Sequence, residues 1–168
     1  MAKVSKAQPK DNPPSKEFKN NVLEANPDLA YVLSAHLFIE SLLIEWLSLI
    51  LPKPQKLFSD FRPTFQQIVA LCQAHNLFDD DLALVIKKLN SLRNRFSHNL
   101  LYKPDSTSIK DFLESLREMR HPFYVSFVDP TEREMSLALA ALCGYIQKHV
   151  KDYKELRGSE SRLINAGE

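Results

Sequence analysis

The chain has 168 residues, 44% of them hydrophobic and 26% charged, which suffices for one domain with its own core and a short extension. With only 3 Gly and with its 10 Pro scattered, it is neither collagen-like nor low-complexity. A formal net charge of +1 excludes a polybasic design, but residues 1–22 hold five Lys against Asp11 and Glu17, so the rest carries −2 and any nucleic-acid argument must be local.

In chain order, residues 1–26 read as a basic, Pro-containing flexible arm in which Pro9, Pro13 and Pro14 block helix. Met1 to Lys10 is basic but lacks a following apolar stretch, so it is not read as a signal peptide. Asn26–Pro27 is a helix start, and the helix is expected to reach Ile50, before Pro52 and Pro54. Its Leu33, Leu37, Glu40, Ile44 and Leu47 make an apolar surface broad enough for more than one partner. His36, Glu40 and Glu45 make the segment Leu29 to Leu51 too polar for a membrane span, so the expectation is a soluble, cytoplasmic protein without a membrane partner.

Residues 51–61 read as linker. A second helix is expected to start near Asp60–Pro63 and to end by Asn76, with Phe65, Ile68, Val69 and Cys72 as its stripe. A third starts at Asp79–Asp81, where carboxylates suit the helix dipole, and ends near His98–Asn99. Leu82, Val85, Leu89, Leu92 and Phe96 form its apolar seam. A shorter helix is expected over Ser108–Met119, then an extended connection over Phe123–Val128. The last helix begins at Asp129–Pro130, with Glu132 in a partial capping box, and continues to about Leu156 with Met135, Leu139, Leu142, Ile146 and Val150 inward. The expected fold is all-α, an up-and-down bundle of four main helices plus a short helix over residues 27–155, followed by a C-terminal tail over 156–168. Cys72 and Cys143 lie in apolar runs without C-x-x-C or zinc spacing and read as inert core thiols.

One segment could carry chemistry. Val85 to Pro104 contains Lys87, Lys88, Arg93, Arg95 and Lys103 and no acidic residue. By helix geometry Asn94 and His98, one turn apart, lie roughly 160° from the centre of the seam, while Arg93 and Ser97 occupy its border. His98 is thus poorly placed for its own core and well placed to meet a ligand or a second subunit. One His and an amide make a poor metal-ligand set, and no cofactor signature is present. A phosphodiester fits better: Arg93 offers a forked clamp on phosphate oxygens, and His98 can move a proton near neutrality. In RNA the 2′-hydroxyl is itself a nucleophile, so no metal is strictly required. Asn94 could bond a phosphate oxygen or orient the imidazole, with Lys87, Arg95 and Ser97 as further substrate contacts. The same string also reads as the basic, polar last turn of an exposed helix, with His98 favoured by the dipole.

Arg93-Asn94-Arg95-Phe96-Ser97-His98 resembles the R-N-x-x-x-H form of the signature of the HEPN superfamily. The acid-containing helix around Ala35 to Leu43, two helices ahead of that motif, also resembles small bacterial HEPN proteins, including the mannitol-operon-repressor-like (MltR) family; the likeness covers residues 27–155. The resemblance implies a helical bundle that forms a homodimer, with Arg and His of both subunits lining one cleft. Many members are metal-independent endoribonucleases, toxins and antiviral effectors among them, that leave 2′,3′-cyclic phosphate ends. Carried over, Arg93 would stabilise the phosphate, His98 would act as general base or acid, and Asn94 would fill the polar position. Other members keep the fold as non-catalytic regulators, so the implied partners are RNA, a protein antitoxin or a regulatory partner.

Other residues weigh less. His36, one turn before Glu40, reads as half of a buried hydrogen-bonded pair, and in some family members an acid of this helix approaches the cleft, as Glu40 or Glu45 would. His75, His121 and His149 read as surface residues near helix ends. Trp46 and the Phe58–Phe61–Phe65 group read as core or dimer contacts.

Overall fold

Pro27, with its fixed φ and no N–H to leave unbonded, opens helix α1 (Pro27–Ile50). A π-helical turn (Lys56–Phe61), α2 (Phe65–Ala74), α3 (Asp80–His98), α4 (Ser106–Glu118) and α5 (Glu134–Asn165) follow. The computed structural model describes residues 27–98, 106–119 and 134–165, and among these the architecture is an all-helical bundle without strands. The expected arm at 1–26, the extended piece Phe123–Val128, His121 and the Asp129–Glu132 helix start lie outside the described residues.

Local chemistry fixes the ends. Pro52 halts α1 after Leu51 N–H has bonded Leu47 O at 2.9 Å. α2 begins later than Asp60–Pro63 because Thr64 forms a capping box: its hydroxyl accepts from Gln67 N–H at 3.4 Å, and Gln67 Oε1 accepts from Thr64 N–H at 2.8 Å. The expected linker over 51–61 contains the π-helical turn, closed by Arg62 in the left-handed region (φ 51°) with its N–H on Leu57 O at 3.1 Å. Asn76 also takes left-handed backbone (φ 53°) after α2, and that helix ends at Ala74, before Asn76 as expected. Asp79 Oδ1 accepts from Leu82 N–H at 2.9 Å to start α3.

α1 is the central element, packing against α2, α3 and α5, while α3 also holds α4. All five seam residues of α3 are buried, as are Met135, Leu139, Leu142, Ile146 and Val150 of α5 and the Phe65–Cys72 stripe of α2. The inward face of α1 centres on Val32, Ile39 and Leu43, all 0% exposed. The stripe expected on α1 is therefore mostly its border: Leu47 is buried, Leu33, Glu40 and Ile44 are half-buried, and Leu37 is 63% exposed. Three neighbours around one helix rotate its buried arc away from the position that a single seam would give.

α5 runs past Leu156 to Asn165. His149 consequently sits well inside a helix, half-buried between Trp46 and Tyr145, and is not a surface residue near a helix end. His75 is exposed at the end of α2, as expected. By length and composition Leu29–Ile50 is long and apolar enough to cross a membrane, a measure that the central helix of a bundle also meets.

Candidate functional site

The motif helix α3 buries more than its seam. Ala83, Ile86 and Asn90 are also buried, extending the inward arc toward α1 and α2. Asn94, one turn after Asn90, is consequently half-buried and not on the far face, and Arg93 is half-buried beside it. Arg93 donates from Nη1 to Asn94 Oδ1 at 3.1 Å.

These residues line a cleft of about 360 Å³. Arg93, Asn94 and Asn90 come from α3, His36 and Glu40 from α1, and Thr64, Phe65 and Gln66 from the start of α2. The capping box fixes the α2 terminus, whose positive end suits an anion. His36 is 3% exposed, with Nε2 3.0 Å from Asn90 Oδ1 and its ring 4.1 Å from that of Phe65. A buried hydrogen-bonded pair is therefore present, but the partner is Asn90 and not Glu40. Burial holds the His36 pKa below its usual value, and Arg93 adds to the lowering, while the Asn90 bond and the Glu40 charge act the other way.

The basic stretch does not form one patch. Lys87 donates to Gln73 Oε1 at 3.0 Å, and Gln73 in turn donates to Asp80 Oδ1 at 2.9 Å, so this lysine helps tie α2 to α3. Arg95 turns the other way and donates to Ser108 Oγ on α4, while Lys88 donates to Asp111 O at 3.0 Å. Those two line a separate depression of about 210 Å³. Of the site residues expected from sequence, the structure brings Arg93 and Asn94 together and places Lys87 and Arg95 elsewhere. α3 reaches His98, but the side chains of Ser97 and His98 lie outside the described residues, as does Lys103.

The two acids of α1 separate as well. Glu40 lines the Arg93 cleft, whereas Glu45 accepts from Lys154 of α5. Glu45 borders a groove of about 520 Å³ with Lys148, Lys151 and Lys154, a basic row on α5 that sequence reasoning passed over although its three-residue spacing was visible. Lys148 and Lys151 meet Asp152 and Glu155 one turn on, an ordinary solvated ion-pair face. His36, Thr64, Gln66 and Asn90 are among the polar cleft residues that a search of the motif alone does not find.

Among the described residues no group of three or more His, Cys, Asp or Glu is arranged to hold a metal ion. In the cleft one imidazole, one hydroxyl and three amides (Gln66, Asn90 and Asn94) accompany the guanidinium, donors suited to hydrogen bonding an oxyanion, with the Glu40 carboxylate as the one anionic group of the lining. No family model, curated protein or solved structure matches the chain.

Proposed function

We propose that the chain is a metal-independent endoribonuclease whose site is built from Arg93, Asn94 and His98 and completed by a second copy across a two-fold axis, the arrangement implied by its resemblance to HEPN proteins. The supporting observation is the half-buried Arg93–Asn94 pair on the wall of a polar cleft that also borders the α2 N-terminus. A guanidinium so placed lies in a partly desolvated setting, where charge stabilisation is stronger than in water.

In the proposed reaction the ribose 2′-oxygen attacks the adjacent phosphorus, forming the 2′-O–P bond as the P–O5′ bond breaks. His98 moves the proton, from the 2′-hydroxyl or to the departing 5′-oxygen. Arg93 offsets charge developing on the phosphoryl oxygens, and Asn94 orients the phosphate. Two-fold pairing would supply two such His and Arg sets, consistent with one pair per chain being a meagre site.

The test is cleavage of mixed RNAs with EDTA present. Wild type should produce 2′,3′-cyclic phosphate ends, and His98→Ala should lose on the order of 10² to 10⁴ in rate. Arg93→Lys should be a poor substitute for arginine. A single 2′-deoxy substitution should block cutting at that nucleotide; cutting that persists there, or that needs magnesium, refutes the mechanism. Light scattering that gives only the 19.3 kDa monomer refutes the shared site.

One observation favours a second reading, a non-catalytic regulatory dimer. Lys87, Lys88 and Arg95 are each engaged by neighbouring helices, and they lie on faces apart from Arg93, which narrows any nucleic-acid footprint. In that reading the Arg93 cleft binds an anionic partner group. Absence of cleavage by clean wild-type dimer selects it.

A further inference from the structure

We propose that Asn90 is a ligand-contacting residue of the same cleft, its amide held by the buried His36 so that the NH₂ end is presented to a phosphate oxygen beside Arg93. The inference rests on the reading of this cleft as a phosphate site. It adds a residue outside the motif and gives His36 a positioning role.

Asn90 is 7% exposed and His36 is 3% exposed, yet both line the cleft with Arg93. A primary amide has one accepting and one donating end. Asn90 Oδ1 stands 3.0 Å from His36 Nε2, so its accepting end is taken. For this contact to be a hydrogen bond, the ring carries its proton on Nε2 and donates. Nδ1 is then a bare acceptor, and Nδ1 is the ring atom without a hydrogen-bond partner. A lone buried acceptor is tolerated more readily than a lone buried N–H, which the opposite tautomer would create. The tautomer, the amide orientation and the unbonded ring atom thus agree.

The consequence is directional. With Oδ1 facing α1, the Nδ2H₂ group of Asn90 is the end left for the cleft, and it is not among the buried polar atoms without a partner. Phe65 packs against the imidazole, its ring tilted 34° at 4.1 Å, so His36 has little room to turn and release the amide. Asn90 and Arg93 are three positions apart on one helix, neighbours on its surface. An amide donor beside a guanidinium matches two oxygens of one phosphate, and the α2 N-terminus adds favourable potential for the same charge. The free anion and a phosphodiester share this chemistry.

The experiment follows the Asn90 side-chain NH₂ and Arg93 Nε resonances of the full chain by ¹⁵N NMR. Inorganic phosphate is titrated first, then a short RNA made uncleavable by 2′-deoxy substitution. Expected are shifts of both groups with one common Kd, and a His36 imidazole protonated on Nε2. Movement with phosphate alone assigns the site to the free anion, and movement with the RNA assigns it to a phosphodiester. Asn90→Asp, nearly isosteric, should weaken binding about tenfold or more by replacing the donor with a like charge. An Asn90 amide that stays still while Arg93 saturates overturns the proposal, and so does a His36 proton on Nδ1. The first of these leaves the nuclease reading standing, while a moving Asn90 amide in a protein that cleaves no RNA does the reverse.

Discussion

The indole of Trp46 stacks on the imidazole of His149, ring centroids 6.1 Å apart and planes 13° from parallel, where α1 meets α5. Tyr145 meets the same imidazole edge-on at 4.4 Å. His149→Ala should therefore lower the unfolding free energy by about 0.5–1.5 kcal/mol beyond the loss of buried area. Urea titration checks this, and the emission of Trp46, the chain's one tryptophan, should change in the native state of the variant. A native emission spectrum identical to wild type contradicts the stacking.

His36 gives the fold a defined acid sensitivity. Its folded-state pKa lies below the ordinary 6.5, chiefly through burial. Below that pH the unfolded chain binds the proton first, so stability rises with pH across this window and falls as pH drops from 6.5 toward the folded pKa. Above it the ring is neutral in both states and contributes no slope. His36→Gln, which removes the titration, should show a smaller fall in Tm between about pH 8 and pH 5.5 than wild type. An equal or larger fall places the acid sensitivity elsewhere.

Two leucines of α3 should behave oppositely. Leu89 is 0% exposed and Leu84 is 46% exposed. Leu89→Ala opens a cavity and should cost about 2–5 kcal/mol by chemical denaturation. Leu84→Ser should stay within about 0.5 kcal/mol of wild type. Similar losses for both would mean that α3 packs in a different rotation.

The thiols should be slow. Burial raises the Cys72 pKa to about 12 and that of Cys143 to about 11, so thiolate is scarce at neutral pH. Cys72 is fully buried, whereas Cys143 is half-buried against the shallow groove beside Tyr31 and Phe38. Iodoacetamide on the native protein should modify Cys143 slowly and Cys72 only after unfolding, as read by mass spectrometry. Rapid labelling of Cys72 would contradict its place in the core.

Periodicity carried the seam of α3, the inward face of α5 and the stripe of α2, because each follows a local 3.6-residue rule. It failed where the determinant was not local. His36 and Asn90 lie 54 positions apart, so no spacing along either helix could join them. Asn90 was also hidden by its polarity, since a search for apolar positions leaves an asparagine on the outside by default. A signal existed: Asn90 falls one turn ahead of Asn94 and next to Leu89 in the buried arc, where a polar residue needs a partner. The dispersal of Lys87 and Arg95 follows from angles already present in the sequence, but their fates depended on Gln73 and Ser108, on helices whose positions only packing decides. The late start of α2 is different again, because the Thr64–Gln67 box is written in the sequence beside the stronger cue of Pro63.

The π-helical turn between α1 and α2 buries none of its residues. Covalent continuity there contributes little that the rest of the bundle needs, so Lys56–Phe61 is the natural place to open the chain. New termini or an inserted reporter in this turn should leave the bundle assembled, provided Thr64 and Gln67 are kept intact. A molecule re-stitched in this way would carry α1 and α2 at opposite ends of its chain, and reassembly of the Arg93 cleft would then show that packing alone, without that tether, sets its geometry.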